Sequence, residues 1–226
     1  MNKIAETENP HVHSGFFTLY PLLDFVAQNP SLPPFLAKTD RRGGADFSKK
    51  IRSLLEQAKV PADQGGWYLW GKFNDAAWWE TIYVGKTGKG KTSSLHTRLF
   101  DELREEGTAA LYASVYGWDA VVIALRKRAK KHQTDGGKDW FGTGGTTQRG
   151  LRKRDTTFII WVTAPEGLSD TDIREIERGL IHLYRPAFNS IRSGKGIIHE
   201  SVHPLMKDLD EMIQEQIRRM TGQFSI

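Results

Sequence analysis

The stretch from Gly66 to Gly85, GWYLWGKFNDAAWWETIYVG, decides how this chain folds. Its two ends, Gly66–Gly71 and Trp78–Gly85, are short and dense in aromatic and β-branched residues, the side chains that suit a pleated surface. The turn-prone Lys-Phe-Asn-Asp lies between them, so two strands of an antiparallel hairpin are expected. Downstream, Ser93 or Ser94 can cap a helix running to about Glu105, with Leu95, Leu99 and Leu103 on one face. A second helix is expected over Trp118–Lys131, apolar at first and basic later. Thr156–Ala164 reads as a strand apolar enough to be central. Ser169, with Asp172 three residues on, resembles a capping box that opens a helix to Tyr184, stopped by Pro186. The centre is therefore β-β-α-α-β-α: an α+β fold, with a small antiparallel three-stranded sheet flanked by helices.

Outside this centre the pattern is helical. The first ten or so residues are expected to be disordered. Phe16–Ala27 reads as a short helix and Phe47–Lys59 as a second, ended before Pro61. A last amphipathic helix spans about Pro204–Met220, with its acids early and Arg218 and Arg219 late, as the helix dipole favours. The organisation expected is a helical N-terminal extension over 1–62, a central domain over 63–192 with an insertion at about 105–155, and a C-terminal helix over 193–226 packed on the core.

Composition narrows the function. The 226 residues include no cysteine, which excludes disulfides and thiolate zinc sites. The seven histidines are scattered and form no metal pair. No apolar run reaches the length of a membrane span, and the polar start lacks a signal-peptide pattern, so a cytoplasmic protein with no membrane association is expected. The net charge is +5, but it is concentrated. Between Val121 and Arg154 ten basic residues face only Asp135 and Asp139. Arg126, Arg128, Lys130, Lys131, Arg149, Arg152, Lys153 and Arg154 belong to that run, which suits a polyphosphate partner. Lys86, Lys89 and Lys91 add charge after the second hairpin strand. Trp140 and Phe141, inside a glycine-rich loop of the basic run, could wedge or stack on bases, or equally pin the loop to the core.

Residues 66–189 resemble the GIY-YIG nuclease superfamily. The first half-motif stands as Gly66-Trp67-Tyr68 and the second as Tyr83-Val84-Gly85. Arg98 follows on the next helix, Glu177 on the helix after the third strand, and Asn189 closes the set in Pro186-Ala187-Phe188-Asn189. Trp67 replaces the family's usual Ile. Some members carry a His one helical turn after the Arg, where this chain has Glu102. The basic insertion and the flanking extensions resemble restriction enzymes of the superfamily more than its repair subunits.

The resemblance implies a Mg²⁺-dependent (or Mn²⁺-dependent) endonuclease acting on double-stranded DNA, and among such enzymes points to a type II restriction enzyme. Glu177 would be the metal ligand, since Mg²⁺ binds few protein carboxylates and keeps several waters. Arg98 would fork onto phosphate oxygens. Tyr68 would be general base or water positioner, with Tyr83 its neighbour and Asn189 an orienting group. A phenol with a pKa of about 10 is a poor base at neutral pH, so nearby positive charge is expected to lower it. A double-strand cutter would need two active sites, hence a possible homodimer.

Plainer readings stand beside these. Tyr68 and Tyr83 can be ordinary strand aromatics, and Arg98 can pair with Glu102 at i+4 on a wet helix face. Glu177 is harder to set aside. It lies in a helical stripe with Ile173, Leu180, Ile181 and Tyr184, where an unpaired carboxylate is rare. Two rival functions remain open. Gly85–Thr92, GKTGKGKT, satisfies a phosphate-loop pattern between a strand and a helix, as in nucleotide hydrolases. A non-catalytic nucleic-acid-binding module could also use the same charges.

Overall fold

The computed structural model describes residues 12–32, 44–87, 94–131, 152–189 and 204–224, with backbone alone for 106 and 125–131. Four strands, β1 (Ser14–Thr18), β2 (Gly66–Phe73), β3 (Trp79–Lys86) and β4 (Phe158–Thr163), form a wholly antiparallel sheet in the order β1-β4-β2-β3. The helices are α1 (Tyr20–Gln28), α2 (Gly44–Gln57), α3 (Leu95–Glu102), α4 (Thr108–Tyr116), α5 (Trp118–Lys131), α6 (Asp170–Tyr184) and α7 (Leu205–Phe224). The class is mixed α+β, as expected.

The strands alternate in period two, and both sheet faces are covered. Tyr68, Trp70, Ile159 and Trp161 point into a core shared with α1, α2 and α3. Trp67, Leu69, Val84, Ile160 and Val162 point into a second core closed by Ile173, Ile176 and Leu180 of α6 and by Leu209 and Ile213 of α7. β2 and β4 sit centrally and are buried along both faces, which explains their continuous apolar sequence.

The expected three-stranded sheet has a fourth strand. The segment read as a helix from Phe16 is extended as far as Thr18, because its backbone pairs with β4 from Ser14↔Val162 to Thr18↔Phe158. A distant partner overrides local helix preference here. The helix starts only at Tyr20, with Pro21 in its first turn, where a missing N–H costs nothing. Other boundaries agree with the residues that set them. Ser94 caps α3 by accepting from the Thr97 amide. Ser169 and Asp172 make both halves of the capping box at α6. α6 ends at Tyr184, ahead of Pro186.

Two glycines of the hairpin mark close approaches. A Cβ on Gly66 would lie 2.1 Å from the Val162 carbonyl oxygen, and one on Gly85 would lie 2.3 Å from Cζ of the Tyr68 ring. Gly85 therefore lets the ring of Tyr68 lie flat across β3. No helix among the described residues is long and apolar enough to cross a membrane.

Candidate functional site

Tyr68 stands opposite Gly85 in the β2–β3 register and is fully buried. Its hydroxyl donates to Glu102 Oε1 at 2.6 Å, and its oxygen accepts from Arg98 Nε at 3.2 Å. Arg98 and Glu102 lie one turn apart on α3 and meet directly, at 2.6 Å from the Arg98 terminal nitrogen to Oε1. The pair is not on a wet face. The Glu102 side chain is 2% exposed, against 44% for Arg98, so the guanidinium forms the outer wall of the group.

Immediately after Glu102 the helix widens into one π turn, Leu103–Gly107, before continuing as α4. Such a turn shifts the helix phase and recurs at functional sites. A Cβ on Gly107 would press within 3.2 Å of the Trp70 ring.

The other oxygen of Glu102 accepts from Lys153 Nζ at 2.9 Å. Lys153 is as buried as its partner, 2% exposed. Its ammonium also lies 4.2 Å from the centroid of the Tyr83 ring and 4.7 Å from that of Trp70. Tyr83 is half-buried, with its ring centroid 6.4 Å from that of Tyr68. Two cations, one carboxylate and one phenol thus share a small interior volume. Burial works against the charge of Glu102, but Lys153 and Arg98 outweigh it and hold the carboxyl below its usual range.

The same surroundings act oppositely on Tyr68. Burial, then Glu102 and Tyr83, push its phenol well above 10, and Arg98 offsets only part of this. The expectation of a phenol acidified by nearby cations is therefore corrected. Tyr68 is a neutral donor to a carboxylate, because burial, and after it the negative charge of Glu102, outweigh the effect of Arg98.

Glu177 approaches from the other sheet face. On α6 it follows the buried Ile173 and Ile176 and is itself half-buried. Burial raises its carboxyl pKa, opposed by Lys86, Arg178, Arg98 and Arg174. Among the described residues it makes no hydrogen bond or ion pair. Arg98 thus acts on Tyr68 and Glu102 inward and on Glu177 outward. Asn189 lies along the sheet edge. Its side chain accepts from the Val84 amide and donates to the Val84 carbonyl, each at 2.8 Å. With Ala187 and Phe188 donating to Thr81 and Ile82, it covers the β3 edge as a short strand would.

The basic residues divide. Lys86 is half-buried beside Glu177, and Arg152 and Arg154 are exposed. Lys153, expected to grip nucleic acid, is instead a core residue locked to Glu102. Arg126, Arg128, Lys130 and Lys131 lie on α5, described there in backbone only. Lys89, Lys91, Arg149, Trp140, Phe141 and the first ten residues lie outside the described residues. No group of three or more metal-ligating side chains occurs among those described.

Sequence reasoning did not place two residues in this cluster: Glu102, and Lys153, which it assigned to nucleic-acid contact. Glu102 was legible in principle: it is three residues after Leu99 and seven after Leu95, on the apolar stripe, by the same reasoning that singled out Glu177. Lys153 carried no such signal, since it stands in Arg152-Lys153-Arg154 and looks like its neighbours. No family model, curated protein or solved structure matches this chain.

Proposed function

We propose that the protein is a Mg²⁺-dependent DNA endonuclease of the GIY-YIG type. The observation that carries this reading is the position of Arg98, bonded to Tyr68 and Glu102 within the fold while its charge acts on Glu177. Residues far apart in sequence converge on one guanidinium at the sheet edge. Of its five N–H donors, Nε is spent on Tyr68 and one terminal N–H on Glu102. Three remain for phosphate oxygens on the exposed side.

Glu177 fits a hard divalent cation. It is a single carboxylate without a protein partner among the described residues, and Mg²⁺ is held by one or two carboxylates plus substrate phosphate and water. Lys86, Arg174 and Arg178 around it disfavour a bare cation, so Glu177 would hold the metal only with substrate phosphate present. The metal would supply Lewis-acid stabilisation of negative charge on the phosphate. Tyr68 does not act as a ground-state phenolate. It aims Arg98 by holding its Nε, so that the three remaining donors face the phosphate. Asn189 keeps β3, and hence Tyr83 and Gly85, in register.

The nucleotide-hydrolase reading of Gly85–Thr92 is less well supported. A phosphate loop of that kind follows a strand of a parallel sheet, whereas β3 is the edge of an antiparallel one.

Incubating plasmid DNA with the wild-type protein and with Glu177→Gln, with and without Mg²⁺, tests the proposal. Mg²⁺-dependent cleavage by the wild type, lost in Glu177→Gln with DNA binding retained, is expected. Absence of any wild-type cleavage, or full turnover by Glu177→Gln, would refute it.

A further inference from the structure

We propose that Lys153 is a positioning residue for cleavage, keeping Glu102 ionised inside the fold so that Glu102 can hold both Tyr68 and Arg98. The inference rests on the nuclease reading above and extends it to the segment that follows the basic insertion.

Glu102 is a carboxylate with almost no access to water, and its hydrogen-bond capacity is divided. Oε1 takes the Tyr68 hydroxyl at 2.6 Å and the Arg98 guanidinium at 2.6 Å; Oε2 takes Lys153 at 2.9 Å. If the carboxyl took up a proton it would lose acceptor strength on the side that aims Tyr68 and Arg98. A half-exposed arginine alone is weak insurance against that, because solvent screens its charge. Lys153 is not screened. It is enclosed by Trp70 and Tyr83, whose ring faces stabilise the ammonium without competing for its hydrogen bond to Glu102.

The groups around Glu102 come from each element that packs there. β2 supplies Tyr68, β3 supplies Tyr83 behind Lys153, α3 supplies Arg98, and the turn before β4 supplies Lys153. The charges of α2 that reach α3 act elsewhere. Arg52 lies over Phe100, and with Glu56 it acts on His96. α4 turns Ala110 and Leu111 into the core. The ionisation of Glu102 thus depends on Lys153 more than on any other residue.

Lys153→Met keeps the length and apolar stem of the side chain and removes its charge. In that variant the buried cation that offsets desolvation is gone, so the Glu102 carboxyl moves up. The sign differs between two readouts. Cleavage requires the ionised carboxylate, so kcat of Lys153→Met rises with pH, by about tenfold between pH 6 and 8 relative to the wild type, one pKa unit corresponding to a tenfold change. KM for DNA stays close to that of the wild type. Stability moves the other way. A carboxyl raised above its unfolded value of about 4.3 binds more protons in the folded state, so folding stability falls as pH climbs through that window. A merely structural lysine would lower kcat equally at every pH.

The experiment measures kcat, KM and denaturation midpoints from pH 5 to 8 for the wild type, Lys153→Met and Glu102→Gln/Lys153→Met. The double variant has no buried charge to strand and serves if Lys153→Met does not fold. It is expected to fold, to cleave at least about tenfold more slowly than the wild type, and to lose the pH dependence seen in Lys153→Met. A pH profile of Lys153→Met parallel to the wild type, or wild-type kcat in the double variant, overturns the proposal. A wild-type protein that does not cleave DNA at all fails the nuclease reading instead.

Discussion

Tyr68→Phe removes one oxygen and leaves the ring where it is. The phenyl group still lies against Gly85, where the clearance for even one more carbon is only 2.3 Å from the ring. Glu102 loses its Tyr68 donor but keeps Arg98 at 2.6 Å and Lys153 at 2.9 Å, so no buried charge is stranded. A hydrogen bond to a charged group contributes about 1.5–3 kcal/mol, and with two donors remaining the loss should fall near the lower end. Chemical denaturation should therefore show a fold weakened by about 1–2 kcal/mol and still cooperative. Catalysis is affected on a different scale. Arg98 loses the acceptor of its Nε, which aims its remaining donors. Groups that position or transfer protons contribute about 10²- to 10⁴-fold in rate, so single-turnover plasmid cleavage should slow by at least about 10²-fold. Because the Tyr68 phenol is pushed upward, the wild-type pH–rate profile should contain no phenol ionisation near neutrality, and ultraviolet absorbance should show Tyr68 among the tyrosines that resist titration until the protein unfolds. Tyr68→Phe cleaving at the wild-type rate would refute the reasoning, as would a phenolate absorbing near neutral pH.

Two further outcomes follow from the geometry. Gly85→Ala places a methyl group in the Tyr68 ring, so it should destabilise by about 1–3 kcal/mol and slow cleavage by displacing the Tyr68–Glu102 bond, measured by denaturation and turnover together. Arg152→Glu combined with Arg154→Glu, leaving Lys153 in place, should weaken DNA binding and flatten its salt dependence by about two counterions; fluorescence titration at several salt concentrations decides this, and an unchanged slope returns both residues to a solvated surface.

The hairpin, α3, α5, β4 and α6 were legible because local signals agreed with tertiary context: aromatic and β-branched strands, a serine at the caps of α3 and α6, and a proline after the last turn of α6. β1 was not, because Phe16–Thr18 becomes a strand only by pairing with residues about 140 positions away. Arg98, Glu177 and Asn189 stood out as a set through their order along the chain, and the fold places Arg98 between Tyr68 and Glu177. Lys153 was misread for a physical reason. Charge runs report average solvation, and one member of a run can be drawn inside when a buried carboxylate awaits it. The direction of the Tyr68 shift was also illegible, since it turns first on how completely the phenol is buried and then on Glu102 lying beside it.

The pairing of β1 with β4 also has a consequence for how the protein is made. The β2–β3 hairpin joins neighbours in the chain and can close within microseconds of leaving the ribosome. β1 must wait for β4, His13 bonding to Thr163 across 150 residues, and Ser14 waits longer still for Gln216. At a synthesis rate of about 5–20 residues per second, that delay is on the order of ten seconds. For the part of it between residues 102 and 153, a growing chain holds Tyr68, Arg98 and Glu102 without Lys153. A ribosome that stalls before residue 153 releases a product in which the charged cluster was never assembled.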